Sequence, residues 1–171
     1  MSEELKSGMT HEMERQVTED LSAQKVFPHV PNVYATRAMV GHFEEACAEM
    51  VLPYLGEGEQ TVGIGMKFSH MAATPIGMNV RFKATLIEVD GKKLTFEVEG
   101  FDEVDKIGEA THQRFIINAD KFNAKMAEKA QKYISNKRMA NSVRGHLASP
   151  SLSHLGSRPS LGSKDNITSY K

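Results

Sequence analysis

The stretch TRAMVGHFEEACAEMVL, residues 36–52, decides the fold of this chain, because it is the strongest helix pattern in its first half. Thr36 is an acceptable N-cap, and Pro53 predicts that the helix ends near Leu52. The helical period gathers the apolar side chains on one broad face, formed by Met39, Val40, Phe43, Cys47, Met50 and Val51. A helix with a single apolar face has to lie against another layer of structure.

The residues after this helix alternate between apolar and polar side chains, which is typical of strands in an antiparallel sheet. Asp90-Gly91 is a strong hairpin signal, and polar turns at 74–77 and 102–105 separate the neighbouring segments. The predicted strands are residues 9–18, 61–72, 78–88, 92–100 and 106–117, and a second, mostly polar helix covers 118–138. One long helix across a curved antiparallel sheet, followed by a C-terminal helix, is an α+β layout.

Composition narrows the class of protein. A length of 171 residues favours one domain with a real core, and a net charge of -1 gives no reason to expect nucleic acid as a partner. Cys47 is the only cysteine, so no disulfide can form within the chain. The first ten residues lack the apolar core of a signal peptide, and no apolar run approaches the ~20 residues of a membrane span. We therefore expect a cytoplasmic protein with no membrane partner.

The composition changes near residue 140. Residues 142–171 are rich in Ser and Gly, contain two prolines and show no periodicity. Residues 140–171 carry four basic residues and one acidic residue, a net charge of +3, whereas the rest of the chain carries -4. Such a composition is typical of segments that do not pack. We predict a folded domain over residues 1–139 and a disordered or loosely docked tail over residues 140–171.

Thr36, Glu44 and His70 are polar residues in apolar surroundings, and they are the candidates for chemistry. A hydroxyl, a carboxylate and an imidazole are the components of many hydrolytic sites. Each also has an ordinary structural interpretation, as an N-cap, a solvated helix residue and a hydrogen-bonded residue at a strand end. Taken one at a time, these residues leave both interpretations open.

Five stretches of the chain keep the residues and the spacing of a known family. They are YATRAMVGHFEEAC (34–47), LPYLGEGE (52–59), SHMAATPIGMNV (69–80), DEVDKIGEATHQRF (102–115) and KFNAK (121–125). With them, most of residues 8–127 resembles the fluoroacetyl-CoA thioesterase group of hot-dog fold thioesterases, whereas the tail does not. The resemblance implies a hot-dog fold, in which a curved antiparallel sheet wraps one long helix, and a homodimer with two active sites at the subunit interface.

The resemblance also assigns roles to individual positions. It places the family's catalytic residues on Thr36, Glu44 and His70, and its site glycine and arginine on Gly63 and Arg114, which are candidates for substrate binding. The implied reaction is hydrolysis of a small acyl-CoA thioester. Coenzyme A enters as part of the substrate, and no other cofactor or metal is expected.

One position departs from the family pattern. The aromatic gate residue of the fluoroacetyl-CoA enzyme aligns with Val30, while Phe27 and Tyr34 remain aromatic in the same loop, residues 22–35. We take all three as candidate substrate-binding residues. Loss of the gate calls the fluorinated substrate into question and leaves the thioester chemistry untouched.

The spacing of the trio predicts a shared site. Thr36 and Glu44 are eight residues apart, or about 12 Å along a continuous helix. Within one chain the two side chains could not touch unless Thr36 lay on a loop that folds back. We therefore expect the site to be completed across the dimer interface.

Residues near the trio have simpler explanations. Arg114 could pair with a carboxylate on the neighbouring strand, Gly63 could mark a bulge, and Cys47 is expected in the core. His112 shares a face with Arg114 in a regular strand and is predicted to lie on the surface.

Three functions compete for this site. A small-acyl-CoA thioesterase uses all three catalytic side chains, whereas a non-hydrolytic acyl-CoA binding module would hold the same ligand without turnover. A hot-dog hydratase or dehydratase would need an Asp-x4-His pair, which the chain lacks. Retention of the hydroxyl, the carboxylate and the imidazole favours the thioesterase.

Overall fold

The computed structural model of the protein describes residues 4–147, with side chains as far as residue 141. Its main elements are β1 (Thr10–Gln16), α1 (Thr36–Val51), β2 (Glu59–His70), β3 (Asn79–Asp90), β4 (Lys93–Phe101), β5 (Lys106–Asn118) and α2 (Ala119–Leu147). The strands form one antiparallel sheet in the order β1-β3-β4-β5-β2, and α1 contacts all five of them. Strands β1 and β2 are therefore the edges of the sheet.

The predicted α+β layout is confirmed. Helix α1 ends one residue before the predicted boundary, and each strand begins and ends within about two residues of its predicted limits. The hairpin between β3 and β4 turns at Gly91, whose φ of 55° lies in the left-handed region that favours glycine. The pairing of β2 with β5, rather than with its sequence neighbour β3, was not predicted.

Two glycines let α1 approach the sheet closely. Gly100 on β4 and Gly108 on β5 lie opposite each other in the register. A Cβ at Gly108 would come within 2.7 Å of the Met39 sulfur, and one at Gly100 within 3.1 Å of the Phe43 ring. These absent side chains leave a hollow that Met39 and Phe43 fill, and this contact positions α1 across the middle strands.

The core lies between α1 and the inner face of the sheet. Alternate residues of β3, β4 and β5 point toward the helix, as the period of two requires. The largest fully buried apolar side chains are Val17, Tyr34, Met39, Phe43, Val51, Val80, Phe82, Leu86, Leu94, Phe96 and Ile107. The predicted apolar face of the helix is confirmed, with Val40 at its half-buried margin.

Helix α2 runs beyond the predicted second helix and reaches Leu147. The chain divides into two compact units, the first of which ends at Ala127. Residues 148–171 of the predicted tail lie outside the described residues, and the division of the chain after residue 139 stays a prediction. Neither described helix combines the length and the apolar character needed to cross a membrane.

Candidate active site

Thr36 and His70 meet within one chain. The Thr36 hydroxyl lies 2.9 Å from Nδ1 of His70, although the two residues are 34 positions apart in the sequence. Thr36 is the first residue of α1 and His70 is the last residue of β2. The C-terminal end of edge strand β2 therefore places the His70 imidazole next to the exposed Thr36 hydroxyl at the N-terminus of α1.

The hydrogen-bond partners of His70 indicate which of its ring nitrogens carries the proton and which can accept from the Thr36 hydroxyl. Nε2 lies 3.0 Å from the Ala72 carbonyl oxygen, which can only accept, so Nε2 carries the proton. Nδ1 is then free to accept the hydroxyl proton of Thr36. A hydroxyl paired with a base that a third group orients is the arrangement of an activated nucleophile.

The start of α1 leaves the Thr36 side chain available. Our prediction that Thr36 is the N-cap is wrong: Ala35 occupies that position in an extended conformation, and its side chain makes no capping hydrogen bond. Because Thr36 is one residue inside the helix, its hydroxyl is not used on the backbone. At the start of α1 the Ala35 N–H donates to the Leu21 carbonyl, and the Ala38 and Met39 N–H groups donate to the Ala35 carbonyl. The N–H groups of Thr36 and Arg37 are left as candidate donors to a developing oxyanion.

Glu44 lies at a second location, against the backbone of β2. One of its carboxylate oxygens, Oε1, is 2.5 Å from where a Cβ of Gly63 would stand, and the side chain is 48% exposed. Only glycine allows this approach. The neighbouring Glu45 instead pairs at 2.9 Å with Arg15 of the opposite edge strand β1, so Glu44 is the carboxylate that lies against β2.

A buried pair lies beneath Glu44. His112 is 1% exposed and Arg114 is 7% exposed, and both belong to β5. The predicted surface location of His112 is wrong, because the face that it shares with Arg114 and Ala110 is the inner one. The outward face carries Glu109, Thr111 and Gln113. These alternating polar residues are the pattern in the sequence that could have predicted which face of β5 points outward.

Arg114 does not pair with a carboxylate of the neighbouring strand. Its guanidinium donates to the Thr61 hydroxyl at 2.9 Å, to the Thr61 carbonyl at 3.0 Å and to the backbone carbonyl of Glu44 at 3.4 Å. Three elements, β5, β2 and α1, are thus joined by one side chain. Its role in substrate binding stays a prediction.

A bulge places the two locations on one face of β2. The register against β5 shifts between Gly63 and Gly65, which leaves Ile64 without a partner on β5. Gly63 and His70 therefore both point toward the helix side, which a regular strand would not allow for residues seven apart. Gly63 pairs with Arg114 and His70 with Gly108, so the two ends of this face lie roughly 20 Å apart.

The loop that precedes α1 holds its aromatic residues differently. Phe27 is 63% exposed and Val30 is half-buried, whereas Tyr34 is 1% exposed. The Tyr34 hydroxyl is hydrogen-bonded to Nδ1 of His42, a residue that sequence reasoning missed. Tyr34 therefore anchors the loop from beneath, and direct contact of the three residues with substrate stays a prediction.

Cys47 belongs to the core, as predicted. It is completely buried on α1, and burial raises the pKa of its thiol to about 12. A thiol that stays protonated at neutral pH is a poor nucleophile. The candidate nucleophile at this site is the Thr36 hydroxyl, which is exposed and lies next to the His70 imidazole.

The sequence matches a family over most of the sheet domain. Residues 17–120 match the fluoroacetyl-CoA-specific thioesterase family. The fluoroacetyl-CoA thioesterase of Streptantibioticus cattleyicolor is 44% identical over 103 residues, which cover 60% of this chain and 74% of that protein.

Solved structures share the architecture. A solved structure of the fluoroacetyl-CoA thioesterase FlK superposes with a TM-score of 0.72 at 35% identity, covering 74% of this chain and 98% of that one. A thioesterase superfamily member from Thermus thermophilus gives a TM-score of 0.72 at 29% identity, covering 76% and 96%. The predicted hot-dog fold is confirmed by this shared arrangement.

Proposed function

This chain belongs to the fluoroacetyl-CoA-specific thioesterase family and is a thioester hydrolase, and from that premise we propose that it hydrolyses a small acyl-CoA to the free acid and CoA. The observation that carries the proposal is the 2.9 Å contact between the Thr36 hydroxyl and Nδ1 of His70 at the start of α1. The catalytic side chains proposed are Thr36, Glu44 and His70.

The chemistry follows from the partners of each group. The Thr36 hydroxyl, or a water in its place, attacks the thioester carbonyl carbon while Nδ1 of His70 takes the proton. First-turn N–H groups of α1 stabilise the oxyanion, helped by the positive end of the helix dipole. When the C–S bond breaks, His70 returns the proton to the departing thiolate of CoA. Attack by Thr36 gives an acyl-enzyme that a water then hydrolyses, and direct attack by water gives the acid in one stage.

Glu44 joins this site from a second subunit in our proposal. Within one chain it lies at the other end of the inner face of β2, roughly 20 Å from His70 by strand spacing. An edge strand offers unpaired backbone groups to a second copy. Antiparallel pairing of two β2 strands about a two-fold axis would bring the Gly63 end of one strand toward the His70 end of the other. Glu44 of the partner subunit would then complete the trio, acting on water, on His70 or on the carbonyl.

Complementation between two inactive variants tests the shared site. His70→Ala and Glu44→Ala are each expected to lower thiol release from acyl-CoA by ~10²-fold or more. If the site is shared, a mixed dimer of the two variants has one site with both changes and one intact site. Random pairing should then restore about a quarter of wild-type activity, because half the dimers are mixed. Co-expression with two affinity tags isolates the mixed dimer, and a mixed dimer without activity would refute the shared site.

The acyl group is tested by a thiol-release panel. The named relative acts on fluoroacetyl-CoA, and this chain has Val30 where the resemblance places an aromatic gate. We propose short acyl-CoAs as substrates in the cytoplasm, with acetyl-CoA, fluoroacetyl-CoA and longer or more polar acyl groups in the panel. Wild-type protein that releases no thiol from any of them would overturn the proposed function.

A further inference from the structure

His112 is a buried histidine that the proposed mechanism does not use. Its ring lies between strand β2 and the Arg114 guanidinium, and Phe96 packs near it with ring centroids 6.5 Å apart. Nδ1 is 2.9 Å from the Gly65 carbonyl oxygen, just after the bulge, and Nε2 is 3.3 Å from Nη1 of Arg114. Both nitrogens therefore have partners.

Those partners require a single protonation state. The Gly65 carbonyl can only accept, so Nδ1 carries the proton, and the guanidinium can only donate, so Nε2 must be an unprotonated acceptor. A proton on Nε2 would break the bond from Arg114 and place two positive charges side by side. The geometry therefore describes a neutral imidazole in the Nδ1–H tautomer.

His112 and Arg114 both lie directly beneath Glu44, between α1 and the sheet. Nε2 of His112 is 3.9 Å from Oε1 of Glu44, and Arg114 donates to the Glu44 backbone carbonyl. The same carboxylate oxygen lies over Gly63, which leaves no room for a side chain. The position of Glu44 thus depends on the bulge and on the guanidinium, and His112 is bonded to both.

Resting on the proposed function, we propose that His112 is a positioning residue: its neutral Nε2 accepts from Arg114 and so fixes the guanidinium. Through the bond from Arg114 to the Glu44 backbone carbonyl, it then holds this turn of α1 where the Glu44 carboxylate lies over Gly63, in the geometry that catalysis uses. His112 itself is buried and does not touch the substrate. Its effect on the reaction passes through Arg114 and Glu44.

The charged and titratable groups around the ring agree with a neutral state. Arg114 faces it from its own strand, and Glu44 and Cys47 lie on the helix packed above. Burial lowers the pKa of His112, and the Arg114 cation lowers it further, while the Gly65 carbonyl and the Glu44 carboxylate oppose the shift. The ring is therefore expected to stay neutral near pH 7, as the bond from Arg114 requires.

Three substitutions of His112 distinguish the contribution of its hydrogen bond to Gly65 from that of its hydrogen bond with Arg114. In His112→Gln the amide reaches the position of Nε2 and can accept from Arg114, whereas in His112→Asn the amide reaches only Nδ1 and can donate to Gly65. His112→Phe keeps the ring and loses both bonds. We expect kcat to fall about 10- to 100-fold in the Phe and Asn variants, with KM changed by less than about threefold, and to recover to within about threefold of wild type in the Gln variant.

The outcomes discriminate a positioning role from a merely structural one. Recovery by Asn but not by Gln would overturn the proposal, because the bond to Gly65 alone would then matter. Wild-type kcat in the Phe variant would overturn it as well. A simple packing role would lower the melting temperature without separating Gln from Asn, so melting curves accompany the kinetics.

A spectroscopic measurement tests the inference without turnover. Imidazole nitrogen NMR of the wild-type protein should show a protonated Nδ1 and an unprotonated Nε2 for His112, and Arg114→Met should raise the pKa of the ring. An Nε2–H tautomer in wild type would refute the positioning role even if the enzyme is active. Absence of thiol release together with the Nδ1–H tautomer would instead count against the proposed function alone.

Discussion

At the scale of single residues, the site depends on which side chains are absent as much as on which are present. Ala35 takes the N-cap position, so the Thr36 hydroxyl is left for His70 rather than for the helix backbone. Gly63 has no side chain, so the Glu44 carboxylate can lie against the strand. The Thr36 hydroxyl and the Glu44 carboxylate are thus both available for chemistry because the residue beside each, Ala35 or Gly63, has a small side chain or none.

Gly63→Ala tests whether activity depends on the position of the Glu44 carboxylate against β2. The new Cβ would stand 2.5 Å from Oε1 of Glu44 and 3.2 Å from Cε1 of His112, so the carboxylate has to move. We expect kcat for thiol release to fall by about 10- to 100-fold while the fold is retained, because the end of the Glu44 side chain is free to swing away.

Gly65→Ala is the matched control on the same strand. Its Cβ would meet only Oε1 of Gln113 at 3.5 Å, an ordinary contact. Activity within about twofold of wild type is expected there. If both variants lost activity equally, the bulge rather than the position of Glu44 would be responsible, and our account of Gly63 would fail.

At the scale of elements, the segment that leads into α1 is held by two turns from distant parts of the chain. The Tyr34 N–H donates to the Thr74 carbonyl, and the buried Thr74 hydroxyl donates to Asp102 at 2.9 Å. Asp102 also accepts from the N–H groups of Val104 and Asp105. The turn before β5 is therefore linked to the start of the helix that carries Thr36.

The prediction at this scale is a pH-dependent loss of stability in Asp102→Asn. Burial raises the pKa of Asp102, but the N–H groups of Asp105 and Val104 and the Thr74 hydroxyl outweigh it, so the pKa lies below its ordinary value. A depressed pKa stabilises the fold above the unfolded value of about 3.9, and this contribution is lost as pH falls through the folded pKa. We expect the variant to be less stable by about 1–2 kcal/mol at pH 7, with the difference shrinking toward pH 3.

Denaturant unfolding at several pH values measures this difference. Asp105→Asn, an exposed carboxylate in the same turn, is the control and should leave the free energy of unfolding almost unchanged at each pH. A difference between wild type and Asp102→Asn that stays constant from pH 7 to pH 3 would show that ionisation of Asp102 is not the cause.

At the scale of the whole molecule, the arrangement of the sheet leaves β2 at an edge, with its inner face carrying both halves of the candidate site. The exposed apolar residues Ile64, at the bulge, and Met71, just after the strand, lie along the same segment. Apolar side chains beside unpaired strand edges favour pairing with a second copy. We therefore expect dimerisation and catalysis to depend on the same edge strand, β2.

Ile64→Glu tests this link. Ile64 is 52% exposed, so a glutamate fits the single chain, but its charge at the edge should oppose pairing of two β2 strands. We expect the mass in solution to fall from that of a dimer toward 19.0 kDa, with thiol release lost in parallel. Size-exclusion chromatography with light scattering, alongside the activity assay, makes the measurement.

Val104→Glu introduces the same charge at a residue that is 79% exposed in the turn before β5. It should leave both mass and activity at the wild-type level, because its exposed side chain lies in a turn and not on strand β2. A monomeric Ile64→Glu variant with full activity would contradict the shared site, whereas a wild-type protein that is itself monomeric would contradict the dimer.

The sequence by itself determined the elements and much of the site's membership. Alternation with a period of two and an apolar face with a period of 3.6 are local properties, so the limits of α1 and of the strands were predicted to within about two residues. The residue types and their apolar surroundings singled out Thr36, Glu44 and His70, and the resemblance supplied their implied roles and the hot-dog fold. Their catalytic roles stay predictions that the proposed experiments test.

Only the tertiary structure decided which of these residues meet. Alternation showed that His112 and Arg114 share a face, but not that this face is buried beneath α1. The pairing of β2 with β5, the bulge at Ile64 and the bond between Thr36 and His70 join residues far apart in the sequence. Local periodicity carries no information about such pairings, because they are selected by how the helix and all five strands pack together.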